Sequence, residues 1–217
     1  MDLAGALCHL LWPQQCASCG APGEALCSDC EAMLPPRLSP VCLVCGAPAP
    51  CKTHGVKYVL HSRTPHEGTA RELVLKSKYG RWGELAYRLG QLAAEGVELS
   101  PGNWSVAAVP PRRYFWKTSF PHTLWLRRGA AAQLKLPQSS PLRWNARTER
   151  QTEKKTRTAR LAMNPKSFAA ADCEAKDFIL IDDVTTTGTT LRLAAKTLYA
   201  AGARRVACLS WSRALSD

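Results

Sequence analysis

Between residues 16 and 54 the chain repeats one short unit four times: Cys16-x2-Cys19, Cys27-x2-Cys30, Cys42-x2-Cys45 and Cys51-x2-His54. Each unit brings two ligand atoms onto one tight knuckle, and two knuckles close a tetrahedron around Zn²⁺. A stretch of about 45 residues buries too little apolar surface to stand unaided, so a metal staple is what such a stretch needs. Two partitions of the eight ligands are open. Sequential ribbons use Cys16, Cys19, Cys27 and Cys30, then Cys42, Cys45, Cys51 and His54. A cross-braced pair would interleave the units. The intervening Leu34-Pro35-Pro36-Arg37 reads as a spacer between two small units and favours the sequential pairing. His54 is the weakest of the eight candidates, so one or two structural zinc ions are expected. Four-ligand sites are closed and leave no position for a substrate. The other cysteines, Cys8, Cys173 and Cys208, read as core residues.

No apolar run approaches the roughly 20 residues that cross a bilayer. The apolar start, residues 1–12, contains Asp2 and His9 and lacks a basic leader, which argues against a secretory signal. The expectation is a cytoplasmic chain with reduced thiols rather than a disulfide framework. Of 217 residues, 46% are hydrophobic and 21% charged, enough for a packed core and against wholesale disorder. Lys and Arg number 29 against 17 Asp and Glu, a formal net charge of +12. Residues 1–60 hold Arg37, Lys52 and Lys57 against Asp2, Glu24, Asp29 and Glu31, so the excess lies beyond the cysteines. That bias suits a polyanionic partner, with simple solubility as the alternative.

Beyond His54, strand patterns alternate with helix patterns. Residues 56–63, 105–109, 178–184 and 205–210 read as strands, and 69–80, 83–96, 120–136 and 189–201 as helices. Leu73, Leu75, Leu85, Leu89 and Leu92 mark apolar helix faces. The alternation predicts an α/β domain with a parallel sheet and helices on its faces over residues 56–217, behind a zinc-ribbon region over residues 1–55.

One strand carries the chemistry. The apolar residues 178–181 run into Asp182-Asp183-Val184-Thr185-Thr186-Thr187-Gly188-Thr189-Thr190. A buried strand thus delivers two carboxylates to its C-terminal edge, where open α/β sheets bind ligands. A hydroxyl-rich turn follows, Gly188 permits a nest of backbone N–H groups, and the next helix points its positive end at the turn. Together these make an anion site sized for one phosphate. Acids just before it suit the vicinal hydroxyls of a sugar carrying that phosphate at its 5′ end. An acidic strand end also belongs to P-loop NTPases, but no G-x-x-x-x-G-K-[ST] precedes this one, and G-x-G-x-x-G is absent as well.

The stretch resembles the phosphoribosyl-pyrophosphate (PRPP) motif of type I phosphoribosyltransferases. With the paired cysteines, the chain is similar to the competence protein F (ComF) family. Lys78-Tyr79-Gly80-Arg81, Val109-Pro110, and Arg147-Thr148 with Gln151, Arg160 and Asn164 stand where that family's motifs fall. The resemblance implies a Rossmann-like phosphoribosyltransferase fold with an N-terminal double zinc ribbon. It implies Asp182 and Asp183 on the ribose hydroxyls, directly or through Mg²⁺, with Thr185, Thr186, Thr187, Gly188, Thr189 and Thr190 around the 5′-phosphate. It also implies a part in uptake of single-stranded DNA during natural transformation, beside competence-machinery proteins. Where relatives carry Arg-Gly-Phe-Asn, this chain has Thr118-Ser119-Phe120-Pro121.

Two basic segments bear on partners. Residues 143–166 carry eight basic residues against Glu149 and Glu153 and few large apolar ones, which predicts a solvated loop. In a phosphoribosyltransferase such a loop can close over the site and neutralise departing pyrophosphate. Arg147, Lys154, Lys155 and Arg157, with Lys78 and Pro110, are therefore the pyrophosphate candidates; a phosphate-tracking groove and a solubilising run are the other readings. Arg112-Arg113-Tyr114-Phe115-Trp116-Lys117 interleaves cations with rings, as single-strand binders do, because rings stack on bases while cations track phosphates. Arg112, Arg113, Trp116, Lys117 and Arg160 are the nucleic-acid candidates, with Trp125 and Trp144 as further platforms. Three functions stand: a PRPP-binding DNA-uptake factor, a working phosphoribosyltransferase of nucleotide metabolism or salvage with an unidentified acceptor, and a non-catalytic zinc-ribbon adaptor.

Overall fold

The computed structural model describes residues 14–110, 120–145 and 167–215, and its centre is the apolar run that ends in the two aspartates. That run is β7 (Asp177–Thr185). Its residues Phe178, Ile179, Leu180 and Ile181 are all buried, as a strand covered on both faces must be. It lies between β8 (Arg205–Arg213) and β3 (Trp104–Ala108), parallel to both. β2 (Val59–Pro65) continues the sheet beyond β8, and β4 (Gln138–Ser139) continues it beyond β3, again parallel. β1 (Val41–Cys42) lies antiparallel on the outer side of β2, giving the order β1-β2-β8-β7-β3-β4. A separate antiparallel ribbon joins β5 (Leu142–Trp144) to β6 (Phe168–Ala170).

Helices cover both faces of the sheet. α1 (Ser28–Ala32) belongs to the cysteine region. α2 (Gly68–Tyr79), α3 (Gly83–Ala94) and α4 (His122–Leu134) bury Leu73, Leu85, Leu89 and Leu126 in one core with Ile179, Ile181, Leu209 and Trp211. α5 (Thr189–Ala200) buries Leu191, Ala194 and Leu198 with Phe178, Leu180 and Cys208 on the opposite face. α3 and α4 cross closely, since a Cβ on Gly90 or Gly129 would run into the backbone of Leu126 or Tyr87. Among the described residues, no helix is long and apolar enough to cross a membrane.

The α/β architecture with a mostly parallel sheet is the one the alternation of patterns predicts. Three details differ. Leu75, expected on the apolar face of α2, is half-buried, and Val74 is buried instead. Arg143 and Trp144, expected in a solvated loop, belong to β5. Leu142 is buried there, and Trp144 packs on Phe168 with ring centroids 4.4 Å apart; three residues of alternation are too few to read beside so many charges.

The expected spacer is built into the domain. Leu34 is buried, and Arg37 Nη2 donates to the carbonyl oxygens of Leu92 (2.6 Å) and Ala93 (3.1 Å), acceptors that the C-terminal end of α3 leaves without intrahelical partners. The two halves of the cysteine region also reach opposite faces of the sheet. Cys16, Ala17, Leu26 and Cys30 join the core under α2–α4, whereas Leu43 joins the core under α5. Cys173 and Cys208 are buried, as expected; Cys8 lies outside the described residues.

Candidate metal centres and phosphate site

The ligand atoms of Cys16, Cys19, Cys27 and Cys30 lie within 4.8 Å of one another, and so do those of Cys42, Cys45, Cys51 and His54. The partition is sequential, not cross-braced. Tetrahedral Zn–S bonds of about 2.3 Å place two sulfurs about 3.8 Å apart, and a Zn–N bond of about 2.0 Å places nitrogen and sulfur about 3.5 Å apart. The Cys19 and Cys27 sulfurs are 3.7 Å apart, and those of Cys45 and Cys51 3.9 Å. His54 Nδ1 lies 3.5 Å from Cys42 Sγ and 3.4 Å from Cys51 Sγ. Both sets fit Zn²⁺, and His54 takes its place through Nδ1. The His54 amide donates to Cys51 Sγ at 3.1 Å and holds that thiol down to about 6, which favours the thiolate that a metal requires.

At the end of β7 successive side chains leave the sheet on opposite faces, so Asp182 and Asp183 meet different surroundings. Lys78 Nζ donates to Asp183 Oδ2 at 2.7 Å, and His122 Nδ1 lies 3.6 Å from the same oxygen. Asp182 is 9% exposed, and its Oδ1 accepts the Asp183 amide at 2.9 Å. Burial, reinforced by the neighbouring Asp183 charge, pushes Asp182 well above the usual carboxylate range. Against its own burial, His122 and Lys78 hold Asp183 below that range. The two neighbouring acids are thus pushed in opposite directions by their surroundings.

Sequence reasoning missed His122. It opens α4 at 3% exposure, and its Nε2 meets Ser77 Oγ at 2.7 Å. Ser77 Oγ donates its single proton to the Val74 carbonyl at 2.9 Å, so Nε2 is the donor to Ser77. Nδ1, the nitrogen facing Asp183, is buried without a hydrogen-bond partner among the described residues. A lone histidine after a proline carries no sequence signal for this, because Ser77 stands 45 residues away.

The loop after the acids has the conformation an anion nest needs. Gly188 sits at φ +69°, immediately before the first residue of α5, and no side chain caps that helix start, the end at which a helix favours an anion. Thr185 is 4% exposed, and its Oγ1 lacks a hydrogen-bond partner among the described residues. It lines a small pocket of about 30 Å³ together with Asp182, Thr187, Gly188, Thr189 and Thr190. A buried hydroxyl left open beside a polar pocket marks a place for an unseen ligand or water.

The same edge collects two other candidates. Val109, at the end of β3, donates its amide to Ile181 O at 3.0 Å, and Trp144 Nε1 donates to Pro110 O at 2.8 Å. These bonds pin Pro110 beside the acids. Lys78, a pyrophosphate candidate, spends its charge on Asp183. Trp125 lies under Arg128, whose guanidinium carbon is 4.7 Å from the ring centre, and Trp144 is stacked on Phe168; both rings are engaged within the fold. Arg147, Lys154, Lys155, Arg157, Arg112, Arg113, Trp116, Lys117 and Arg160 lie outside the described residues.

Residues 7–59 match the family model of the double zinc ribbon domain. Two solved structures are similar to the chain. One is the allosteric regulatory enzyme of purine biosynthesis, 22% identical with a TM-score of 0.42 over 58% of this chain and 25% of that one. The other is the glutamine PRPP amidotransferase from B. subtilis complexed with ADP and GMP, 20% identical with a TM-score of 0.39 over 57% and 25%. The chain thus spans a quarter of the length of each. No curated protein matches it.

Proposed function

We propose that the chain is a PRPP-binding protein of the ComF type, in which a zinc-ribbon region (1–55) supports a phosphoribosyltransferase-like unit (56–217). The reading is carried by the end of β7. There two adjacent aspartates, one pushed up by burial and one held down by Lys78 and His122, lead through a buried open hydroxyl into a left-handed glycine and a helix start. Carboxyl oxygens at a strand end suit the vicinal hydroxyls of a ribose. Thr185 to Thr190 surround the 5′-phosphate with amides, hydroxyls and the positive helix end.

Lys78 already pairs with Asp183 at 2.7 Å, so the acid pair is a poor cage for a dication. Mg²⁺ bound together with PRPP would supply charge screening at the pyrophosphate. Should an acceptor attack C1′, the reaction needs positioning and charge stabilisation of the leaving group more than a protein nucleophile. Pro110 and the basic residues Arg147, Lys154, Lys155 and Arg157 serve that need. The positive excess beyond residue 60 supports contact with single-stranded DNA through Arg112, Arg113, Trp116, Lys117 and Arg160, in a cytoplasmic protein that works with the DNA-uptake machinery.

Calorimetry with PRPP and Mg²⁺ tests the reading. The wild-type protein binds, and Asp182→Asn/Asp183→Asn binds roughly a hundredfold more weakly. A wild-type protein that takes up no PRPP refutes it. Pyrophosphate release in the presence of nucleobases separates a transferase from a binder.

A further inference from the structure

The second zinc knuckle and the phosphate loop touch. We propose that this knuckle positions the loop through Leu43, so that the metal site of Cys42, Cys45, Cys51 and His54 sets the affinity for a phosphate group. The ligand named here rests on the reading above; the coupling itself rests on packing alone.

Leu43 follows the ligand Cys42 directly. Its amide donates to Tyr58 O at 2.7 Å, and β1, just before it, pairs Val41 with Leu60 and Cys42 with Val59. The knuckle is therefore fixed at one end to the sheet and at the other to the metal ligands. Leu43 is 7% exposed and shares its core with Leu60 and Leu191, the latter in the first turn of α5. Its side chain lies against Gly188. A Cβ added there would stand 2.7 Å from Leu43 Cδ1 and 3.4 Å from Leu43 O. The turn that orients the first amides of α5 thus rests against a side chain one residue from a zinc ligand.

A cavity of about 460 Å³ opens beside this contact. One wall is the knuckle, residues 42–46; the other is Thr185 to Gly188, with Arg213 at the side. A loop flanked by open space has room to move once its stop is withdrawn. In the first ribbon, by contrast, the core residue Leu26 packs on the opposite face, under α2–α4. Coupling through one packed side chain between two sites is a physical connection of the kind that displaces a loop when one end is released.

Four proteins decide the matter: the wild type, Leu43→Ala, Cys45→Ser, and Leu26→Ala as a core truncation in the first ribbon. Zinc content, PRPP·Mg²⁺ affinity by calorimetry, and amide exchange of residues 186–190 are measured on each. Leu43→Ala keeps all eight metal ligands, yet binds PRPP about tenfold more weakly, because a loop displaced by a fraction of an ångström misaligns its donors. Its amides at 186–190 exchange faster, and Leu43→Met restores both. Cys45→Ser loses one zinc and shows the same two losses; Leu26→Ala shows neither. Wild-type affinity and exchange in Leu43→Ala would overturn the proposal, as would equal losses in Leu26→Ala. Should Cys45→Ser fail to fold, Leu43→Ala and Leu43→Met still decide. If the wild type takes up no PRPP, the ligand reading falls, and amide exchange alone settles the coupling.

Discussion

β7 carries a buried carboxylate cluster at each end, and the two are finished differently. At the start, Asp177 is fully buried and accepts hydrogen bonds from Arg205, Arg204 and the Asn103 amide. Arg205 and Arg204 hold its carboxyl well below the usual range, and Arg205 also lies over Trp104, 4.8 Å from the ring centre. At the far end, Asp182 is pushed up, while His122 Nδ1 and Thr185 Oγ1 have no hydrogen-bond partners among the described residues. The first cluster is satisfied and holds β8 and the 100–103 turn to β7. The second leaves polar capacity open at the sheet edge where ligands bind, and perturbed acids with open partners collect at such sites.

Substitutions can break this contrast. Asp177→Ala has the largest effect on stability, about 2–4 kcal/mol, because a buried acceptor is removed from several donors at once. The urea midpoint reads it, and a loss below about 1 kcal/mol would show the cluster to be ornamental. His122→Ala costs about 1–2 kcal/mol, since Ser77 and Asp183 lose a buried neighbour. On the proposed reading it also weakens PRPP binding, whereas Asp177→Ala does not at temperatures where it is folded. Asp182→Asn has the opposite sign: burial disfavours the Asp182 charge in the fold, so the amide relieves that cost and raises stability near neutral pH; a loss there would mean that the carboxylate is favoured in the fold.

Acid titration sharpens the same contrast, with opposite signs at the two ends. Asp177 titrates lower in the fold than in the unfolded chain, so its contribution is full above about pH 4 and is lost as the pH falls through its folded value. Asp182 titrates higher in the fold, so its contribution is full below about pH 4 and declines as the pH rises through the folded value. Denaturant unfolding at pH 3 to 7 therefore shows Asp177→Asn removing part of the acid limb and Asp182→Asn flattening the rise of that opposing cost. Parallel curves for both variants would contradict the assignment.

The parts of the molecule that were legible in sequence are those whose determinants are consecutive. Residues 178–190 spell out a buried strand, its acidic edge and the turn in one stretch, and the cysteine spacing names all eight ligand candidates, though not how they pair. What escaped depends on packing between distant segments. His122 finds Ser77 and Asp183 only because α2 and α4 lie side by side on the sheet. Arg37 looked like part of a spacer, but its meaning lies 55 residues away, at Leu92. β8 outruns its expected end at residue 210 because Trp211 is buried and Ser212 Oγ meets His66 Nδ1 at 2.8 Å, neither of which local alternation encodes.

β1 consists of only Val41 and Cys42, yet it occupies the outer side of β2, whose backbone groups would otherwise lie uncovered. A bare sheet edge is a template on which a second copy of the same chain can add a strand. Here the guard is two residues long, and the second of them belongs to a metal-ligand set. What covers this edge is thus a piece of the Cys42, Cys45, Cys51 and His54 knuckle rather than a strand of ordinary length.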